Sequence, residues 1–186
     1  MKLLTAAETS EWLKSVGQVE DPHGRAEVDP PDHHLQFYAP HKYSVIEAFV
    51  RVFMENFTAG EEVLLQITDY FPFVGAERYV IERLWSPDGK VYNLDDKPGC
   101  VLDKCETETA VALFALTSCF GWKCYLYGNR DQVILFNWEG DVWDVWTASE
   151  YKMLAIRELV DSFQCSAAEQ RSKSLDQLPF AIIPED

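Results

Sequence analysis

The segment from Trp122 to Trp146 constrains the fold of this chain more strongly than any other part of the sequence. It contains three short runs rich in β-branched and aromatic residues, 122–127, 132–138 and 141–146, with turn residues between them. Glu139 and Gly140, which separate the last two runs, suit a two-residue hairpin turn with positive φ angles. Because so short a connection joins only antiparallel neighbours, the segment predicts a three-strand antiparallel meander over about 122–146.

A two-residue turn would also fix the register of this hairpin. Phe136 would lie opposite Trp143 and share an apolar, core-facing side of the sheet with it, since alternate residues point the same way. The other side would be mixed and would carry Val133, Leu135, Asn137, Val142, Asp144 and Trp146. Either the last helix of the chain covers this mixed side, or the side is open.

An open mixed side would suit a protein partner, because aromatic residues beside polar ones are typical of binding hot spots. The first strand of the meander adds Tyr125 and Tyr127 to one side of the sheet. On this alternative, the predicted partner-binding residues are Tyr125, Tyr127, Asp144 and Trp146.

Helices are predicted before and after the meander from apolar residues at helical spacing, near 6–16, 45–57, 107–120 and 150–163. Thr5, Ser44 and Thr147 each precede a glutamate by three residues, as a capping box requires. Helices that precede and follow a run of tightly connected strands indicate an α+β fold with a mostly antiparallel sheet.

The length of 186 residues suits a single domain, 1–186. An acidic, proline-containing stretch at about 18–31 is predicted to be an exposed loop, and a tail is predicted from about 164 to 186. Between 76 and 92 the pattern favours a helix followed by a turn and a returning strand. The apolar run from Leu178 to Ile183 in the tail suits pairing with a sheet edge.

The charge of the chain limits its partners. Asp and Glu number 31 against 16 Lys and Arg, which gives a formal net charge of −15. Such a field repels nucleic acid and anionic membranes, so neither is a predicted partner. The same field would steer a basic protein towards the chain, or it would serve only to keep the chain in solution.

The cytoplasm is the predicted compartment. The N-terminus turns polar at Thr5, too early for a signal peptide, and the longest apolar run is Ala110 to Leu116. Five cysteines in a chain without a secretion signal predict reduced thiols rather than a disulfide framework.

Metal binding is considered at two sets of residues and predicted at neither. The histidines are His23, His33, His34 and His41, and two of them are adjacent, so they would point to opposite sides of a strand. The cysteines Cys100, Cys105, Cys119 and Cys124 form two pairs with four residues between the members, wider than the usual zinc knuckle. Burial of the cysteines as small hydrophobic residues is the alternative.

Catalytic residues and cofactors are not predicted, because the sequence lacks a nucleophile elbow and a glycine-rich phosphate loop. Asp69 and Asp144 are the acids that lie in apolar surroundings in the sequence. Such acids are candidates for a functional site. Asp69 and its neighbour Tyr70 are therefore the predicted pocket residues.

The pattern Leu65-Gln66-Ile67-Thr68-Asp69-Tyr70, then Pro98-Gly99, then Phe120-Gly121-Trp122 resembles a set of small uncharacterised bacterial proteins. The resemblance covers roughly residues 63 to 145. In those proteins a His-Asp-Glu run often follows the second meander strand, where this chain has Asn137-Trp138-Glu139-Gly140. The resemblance implies a bacterial α+β domain and no particular reaction.

Three functions follow from these patterns as hypotheses. The first is a non-catalytic binding protein, of the immunity type for example, that recognises a basic protein partner. The second is a small enzyme or small-ligand binder with a pocket between sheet and helices. The third is a homo-oligomeric structural subunit that uses the apolar tail.

Overall fold

The structure is a computed structural model that describes residues 1–23, 29–58, 61–69, 96–129 and 132–168. In this part of the chain, the strands are β1 (Lys2–Leu4), β2 (His33–Tyr38), β3 (Val63–Asp69), β4 (Gly99–Leu102), β5 (Lys123–Gly128), β6 (Ile134–Trp138) and β7 (Val142–Thr147). The α-helices are α1 (Ala6–Ser15), α2 (Tyr43–Phe57), α3 (Thr107–Cys119) and α4 (Glu150–Ser162). The predicted 76–92 elements, Tyr70 and the apolar run at 178–183 lie outside the described residues.

The strands form one antiparallel sheet in the order β1-β4-β3-β5-β6-β7-β2. The predicted α+β fold, the meander and the four predicted helices are therefore confirmed. None of the helices in the described ranges is long and apolar enough to cross a membrane.

The helix starts agree only partly with the predicted capping boxes. Thr5 and Glu8 do form a reciprocal box at the start of α1, with Glu8 N donating to Thr5 Oγ1 at 3.3 Å. Helix α2 begins before Ser44 and has no side-chain cap, and α4 is capped by Ser149 rather than Thr147. These two predicted boxes were wrong, because the N-cap of each helix lies two residues away from the residue that the motif favoured.

The two faces of the sheet are covered by different elements. Helices α2, α3 and α4 pack on one face, where the larger core includes Phe37, Phe49, Phe53, Phe114 and Trp143. The other face carries a smaller core of Leu4, Leu13, Leu64, Val101, Tyr125, Tyr127, Ile134, Phe136 and Trp146. Helix α1 contributes Leu13 to this second core. Residues 16–23, which we call the covering segment, continue from α1 along the same face.

The register predicted for the β6–β7 hairpin was wrong by one residue. Glu139 and Gly140 do have positive φ angles, but Trp138 pairs with Val142, and Phe136 pairs with Asp144. Asp141 is therefore an extra loop residue, and its carbonyl accepts a hydrogen bond from Ala39 N at 2.9 Å.

A slip of one residue exchanges the two sides of a strand. Trp143 and Val145 therefore lie in the three-helix core, and Asp144 and Trp146 lie with Phe136 on the face of α1. The last helix, which on one of the two alternatives would have covered Asp144 and Trp146, packs on the opposite face.

Gly140→Ala is expected to lower the free energy of unfolding by about 2 kcal/mol, measured by urea denaturation. Gly140 has φ +89°, and an added Cβ would lie 2.5 Å from the carbonyl oxygen of Ser118 at the end of α3. Gly17→Ala is the matched control, since Gly17 has φ +71° and no atom within 4 Å of such a Cβ. Equal losses in the two variants would contradict a steric role for Gly140.

Candidate ligand-binding site

Asp144 on β7 is a completely buried carboxylate that accepts three side-chain hydrogen bonds. His23 Nε2 lies 3.0 Å from Oδ2, and His34 Nε2 lies 2.6 Å from Oδ1. Gln36 Nε2 donates to Oδ1 over 3.1 Å. We call these four residues the Asp144 cluster.

The pairing of β2 with β7 explains two of these contacts. Gln36 lies directly opposite Asp144, and His34 lies opposite Trp146. Because alternate residues of a strand share a face, His34 and Gln36 both point to the side of Asp144. His23 comes from the covering segment instead.

The charge of Asp144 is stabilised by its neighbours. Burial acts to raise the pKa of Asp144, but the hydrogen bonds from His23 and His34 act to lower it. Together with the electrostatic interactions with the same histidines, these bonds outweigh burial, and the pKa of Asp144 lies below its ordinary value of 3.8. Asp144 is therefore ionised at neutral pH although it is inaccessible to solvent.

Aromatic rings surround the two histidines. The His23 ring lies 5.0 Å from Phe136, 5.1 Å from Trp138 and 4.9 Å from Trp146, measured between centroids. The His34 ring stacks on Trp146 with an interplanar angle of 13°. Three rings thus orient the His23 imidazole towards Asp144, and the Trp146 ring orients that of His34.

Two tyrosines attach the covering segment to the sheet. The hydroxyl of Tyr125 donates to Asp21 Oδ1 over 2.7 Å, and Asp21 N donates to the hydroxyl of Tyr127 over 3.2 Å. Burial, followed by the nearby Asp21 carboxylate, raises the pKa of Tyr125 well above its ordinary range. The Tyr125 hydroxyl therefore remains a hydrogen-bond donor at neutral pH.

A cleft of about 220 Å³ opens between the covering segment and strands β3, β5 and β6. Its aromatic walls are Tyr125, Phe136 and Trp138, and its other lining residues are Asp21, His23, Thr68, Asp69, Lys97 and Lys123. Trp138 is 40% exposed, which is high for a tryptophan beside a buried core. We call this site the Trp138 cleft.

The two lysines of the Trp138 cleft differ in their environment. Lys123 Nζ lies 2.8 Å from Asp69, 3.4 Å from Glu139 and 5.1 Å from the centre of the Trp138 ring. The hydrogen bond with Asp69 raises the pKa of Lys123. Lys97 has no ion pair with a residue of the described ranges.

The backbone of Lys97 is held in an unusual conformation. Its φ angle is +53°, and its carbonyl accepts a hydrogen bond from Gln66 Nε2 over 3.0 Å. Gln66 is a buried residue of β3, and its Oε1 has no hydrogen-bond partner among the described residues. A left-handed conformation in a residue other than glycine persists only where its surroundings hold it, which here fixes Lys97 at the cleft.

The structure brings the four predicted partner-binding residues together on one face of the sheet. Tyr125, Tyr127, Asp144 and Trp146 are all buried there, beneath α1 and the covering segment. At these positions they support the site from within the protein and do not form an open surface that a partner could contact. Of the predicted pocket residues, Asp69 lines the Trp138 cleft. Its side chain is 59% exposed, so it does not lie in the apolar surroundings that the sequence suggested.

Sequence reasoning missed His23, Asp21 and Lys97 as site residues. The stretch 18–31 was predicted to be an exposed loop, whereas its described residues 18–23 pack on the sheet. An acidic, proline-containing composition does favour an exposed loop, and here specific side-chain bonds override it. The available signal was Asp144 itself, because an acid within an apolar strand requires polar partners from elsewhere in the chain.

The four cysteines considered as zinc ligands do not converge. Cys100 and Cys124 are buried in the three-helix core, and burial raises the pKa of each to about 12. Cys105 and Cys119 are exposed and lie at opposite ends of α3. Among the described residues, no group of three His, Cys, Asp or Glu side chains is arranged to hold a metal ion.

The contribution of Asp144 to the free energy of unfolding should depend on pH. Since the pKa of Asp144 is lowered by folding, its ionisation stabilises the folded chain above the unfolded pKa of about 3.9, and this contribution disappears as pH falls through the folded pKa. The stability difference between the wild type and Asp144→Asn, measured by urea denaturation, should shrink as the pH falls below about 4. A difference that does not change with pH would contradict the lowered pKa.

The arrangement of the site permits recognition of a small molecule. His23 Nε2 is committed to Asp144, and this contact orients a ring that lines the Trp138 cleft. Comparisons of the chain with protein-family models, curated protein sequences and solved structures give no match.

Proposed function

We propose that this chain is a small-ligand-binding protein and that its site is the Trp138 cleft. The observation that carries the proposal is the cleft itself, which combines three aromatic walls with four charged side chains beside the buried Asp144 cluster. Concave sites with apolar walls and a few convergent polar groups are the usual form of small-molecule sites.

The support behind the cleft favours binding over a purely structural role. His23 is fixed by Asp144, Asp21 is fixed by Tyr125, and Lys97 is fixed by Gln66. Each of these buried partners restrains a side chain or a backbone segment that reaches the cleft. Such preorganisation reduces the entropy that a ligand would lose on ordering its site.

A ligand screen by thermal shift tests this proposal, with Trp138→Ala as the disabling variant. Compounds that raise the melting temperature of the wild type are expected to have no effect on Trp138→Ala, because the variant lacks one wall of the cleft. Tyr151→Ala is the matched control, since Tyr151 is an aromatic residue that is 81% exposed on α4, at the opposite face of the sheet. Equal shifts in all three proteins would contradict binding in the cleft.

Recognition of a basic protein partner is the second candidate function, and a separate surface supports it. Tyr151 and Leu154 lie one turn apart on α4 and are both exposed, beside the acidic Glu150 and Glu158. The net charge of −15 would steer a basic partner to such a surface. In this proposal the chain is an immunity-type protein of a bacterial cytoplasm. The five free thiols suit a reducing compartment, and the acidity suits a basic partner.

A pull-down from source-cell lysate tests the second candidate. A basic protein retained at low salt and released at high salt is expected to be lost with the double variant Tyr151→Ala, Leu154→Ala. Trp138→Ala is the control and should retain the same protein. Retention by both variants, or of chaperones alone, would contradict this use of α4.

A further inference from the structure

We propose that the ligand of the Trp138 cleft is a small aromatic monocarboxylate, a single ring that carries one negative charge on a short arm. This inference rests on the proposed function and specifies its ligand. Four features of the cleft support it: one lysine, the backbone that holds this lysine, the charges nearby, and the walls with the space between them.

Lys97 is the lysine of the cleft that has no counter-ion within the described ranges. The other charged groups of the lining are already engaged there. Asp69 is bound by Lys123 over 2.8 Å, and Asp21 accepts a hydrogen bond from the Tyr125 hydroxyl. By contrast, Lys97 forms no ion pair with a described residue. A carboxylate supplied by a ligand would give its ammonium group a charge-assisted hydrogen bond.

The backbone fixes where the Lys97 side chain starts. The φ angle of Lys97 is +53°, and Gln66 Nε2 donates to its carbonyl over 3.0 Å. Gln66 is itself buried and lies directly opposite Tyr125 in the β3–β5 pairing. The root of this lysine is therefore held at the cleft before a ligand arrives, which reduces the ordering that binding requires.

The charges around Lys97 favour a ligand with one negative charge over a ligand with two. Asp21 and Asp69 also line the cleft, and both would repel the second charge of a phosphate monoester. The net charge of −15 opposes any anion at long range, but exposed charges more than about 8 Å apart are largely screened at physiological ionic strength. A carboxylate in hydrogen-bond contact with Lys97 lies well inside that distance.

The walls and the volume define the body of the ligand. Trp138 is 40% exposed at the cleft, and Phe136 meets it nearly at right angles, at 88°. A flat ring in this corner can stack on one of the two rings and meet the edge of the other, which are the favourable geometries of aromatic pairs. The volume of about 220 Å³ is below the range of about 300–1,000 Å³ that is typical of sites for drug-sized molecules. One ring with a short acidic arm suits this space.

Isothermal titration with defined probes tests the inference. Benzoate, phenylacetate and hydrocinnamate are the carboxylate probes, and their primary amides have the same shape without the charge. The wild type is expected to bind at least one carboxylate about tenfold or more tightly than its amide, the usual effect of a charge-assisted hydrogen bond. Lys97→Gln should lower the affinity for that carboxylate about tenfold and leave the affinity for the amide unchanged.

Lys104→Gln is the matched control for Lys97→Gln, because Lys104 is an exposed lysine outside the cleft. It removes the same charge from the chain and should keep the preference for the carboxylate. Two further probes test the remaining features of the ligand. Acetate has the charge without the ring, and phenyl phosphate has the ring with a second charge, so both should bind more weakly than the best aromatic carboxylate.

Three results would overturn the ligand class. They are equal affinities for the carboxylates and their amides, an equal loss of carboxylate binding in the two lysine variants, and binding of acetate or phenyl phosphate as tightly as the aromatic carboxylates. If neutral or cationic compounds from the ligand screen bind at Trp138 while every carboxylate fails, this inference is wrong and the proposed function stands. If no compound binds there, both are wrong.

Discussion

Asp144→Ala is expected to lower the free energy of unfolding by about 3 kcal/mol, because each hydrogen bond to a charged group contributes about 1.5–3 kcal/mol and the contributions do not add fully. The change removes the common acceptor of His23, His34 and Gln36. Urea denaturation followed by tryptophan fluorescence measures the loss.

Asp141→Ala is the matched control for Asp144→Ala. Asp141 lies in the adjacent hairpin loop, is exposed, and uses its backbone carbonyl rather than its carboxylate to bind Ala39. Its replacement should change stability by less than about 0.5 kcal/mol, as is usual for surface sites. If the two alanine variants were equally stable, the Asp144 cluster would have no part in holding the covering segment or β2 to the sheet.

Trp143→Ala is expected to have the largest effect, a loss of about 4 kcal/mol, since truncation of a buried tryptophan removes apolar contacts and leaves a cavity. The Trp143 ring packs against Phe37, Phe49 and Phe114, and its Nε1 donates to Asn137 Oδ1 over 3.0 Å. The alanine variant would therefore also deprive the buried Asn137 of one hydrogen bond. Urea denaturation again gives the measurement.

Trp138→Ala provides the comparison, because Trp138 lies on the same hairpin and is exposed at the cleft. Its loss of stability should stay below about 1 kcal/mol, as expected for a partly exposed side chain. The pair of variants also tests the hairpin register, which places Trp143 in the three-helix core and Trp138 at the opposite face. A larger loss from Trp138→Ala than from Trp143→Ala would be inconsistent with that register.

Much of the fold was predictable because local signals determine it. Apolar residues at helical spacing in α2 and α3, and the turn at Glu139 and Gly140, were sufficient to place helices and strands. The register of the hairpin was not predictable from the turn alone. The observed register buries Trp143 and Val145 in the three-helix core, and the extra loop residue Asp141 bonds to Ala39, which is far away in the sequence.

The candidate site was predictable only in its supporting residues. Periodicity places Tyr125 with Tyr127, and Asp144 with Trp146, on the same side of their strands, whereas the face of the sheet depends on the register. His23 lies 121 residues from Asp144 along the chain, and no local pattern connects the two. The cleft residues Lys97 and Asp21 depend on tertiary hydrogen bonds from Gln66 and Tyr125 in the same way.

The place of β2 at the edge of the sheet has a consequence for the kinetics of folding. His34 and Gln36 pair with a strand more than 100 residues later in the sequence, so β2 can join only after β7 has been formed. Closing such a long loop is slow compared with forming the local meander. The two halves of the Asp144 cluster are thus brought together by one of the latest steps of folding. A chain that retains the meander but not the β2–β7 pairing would lack the site, and ligand binding would report only the fully folded population.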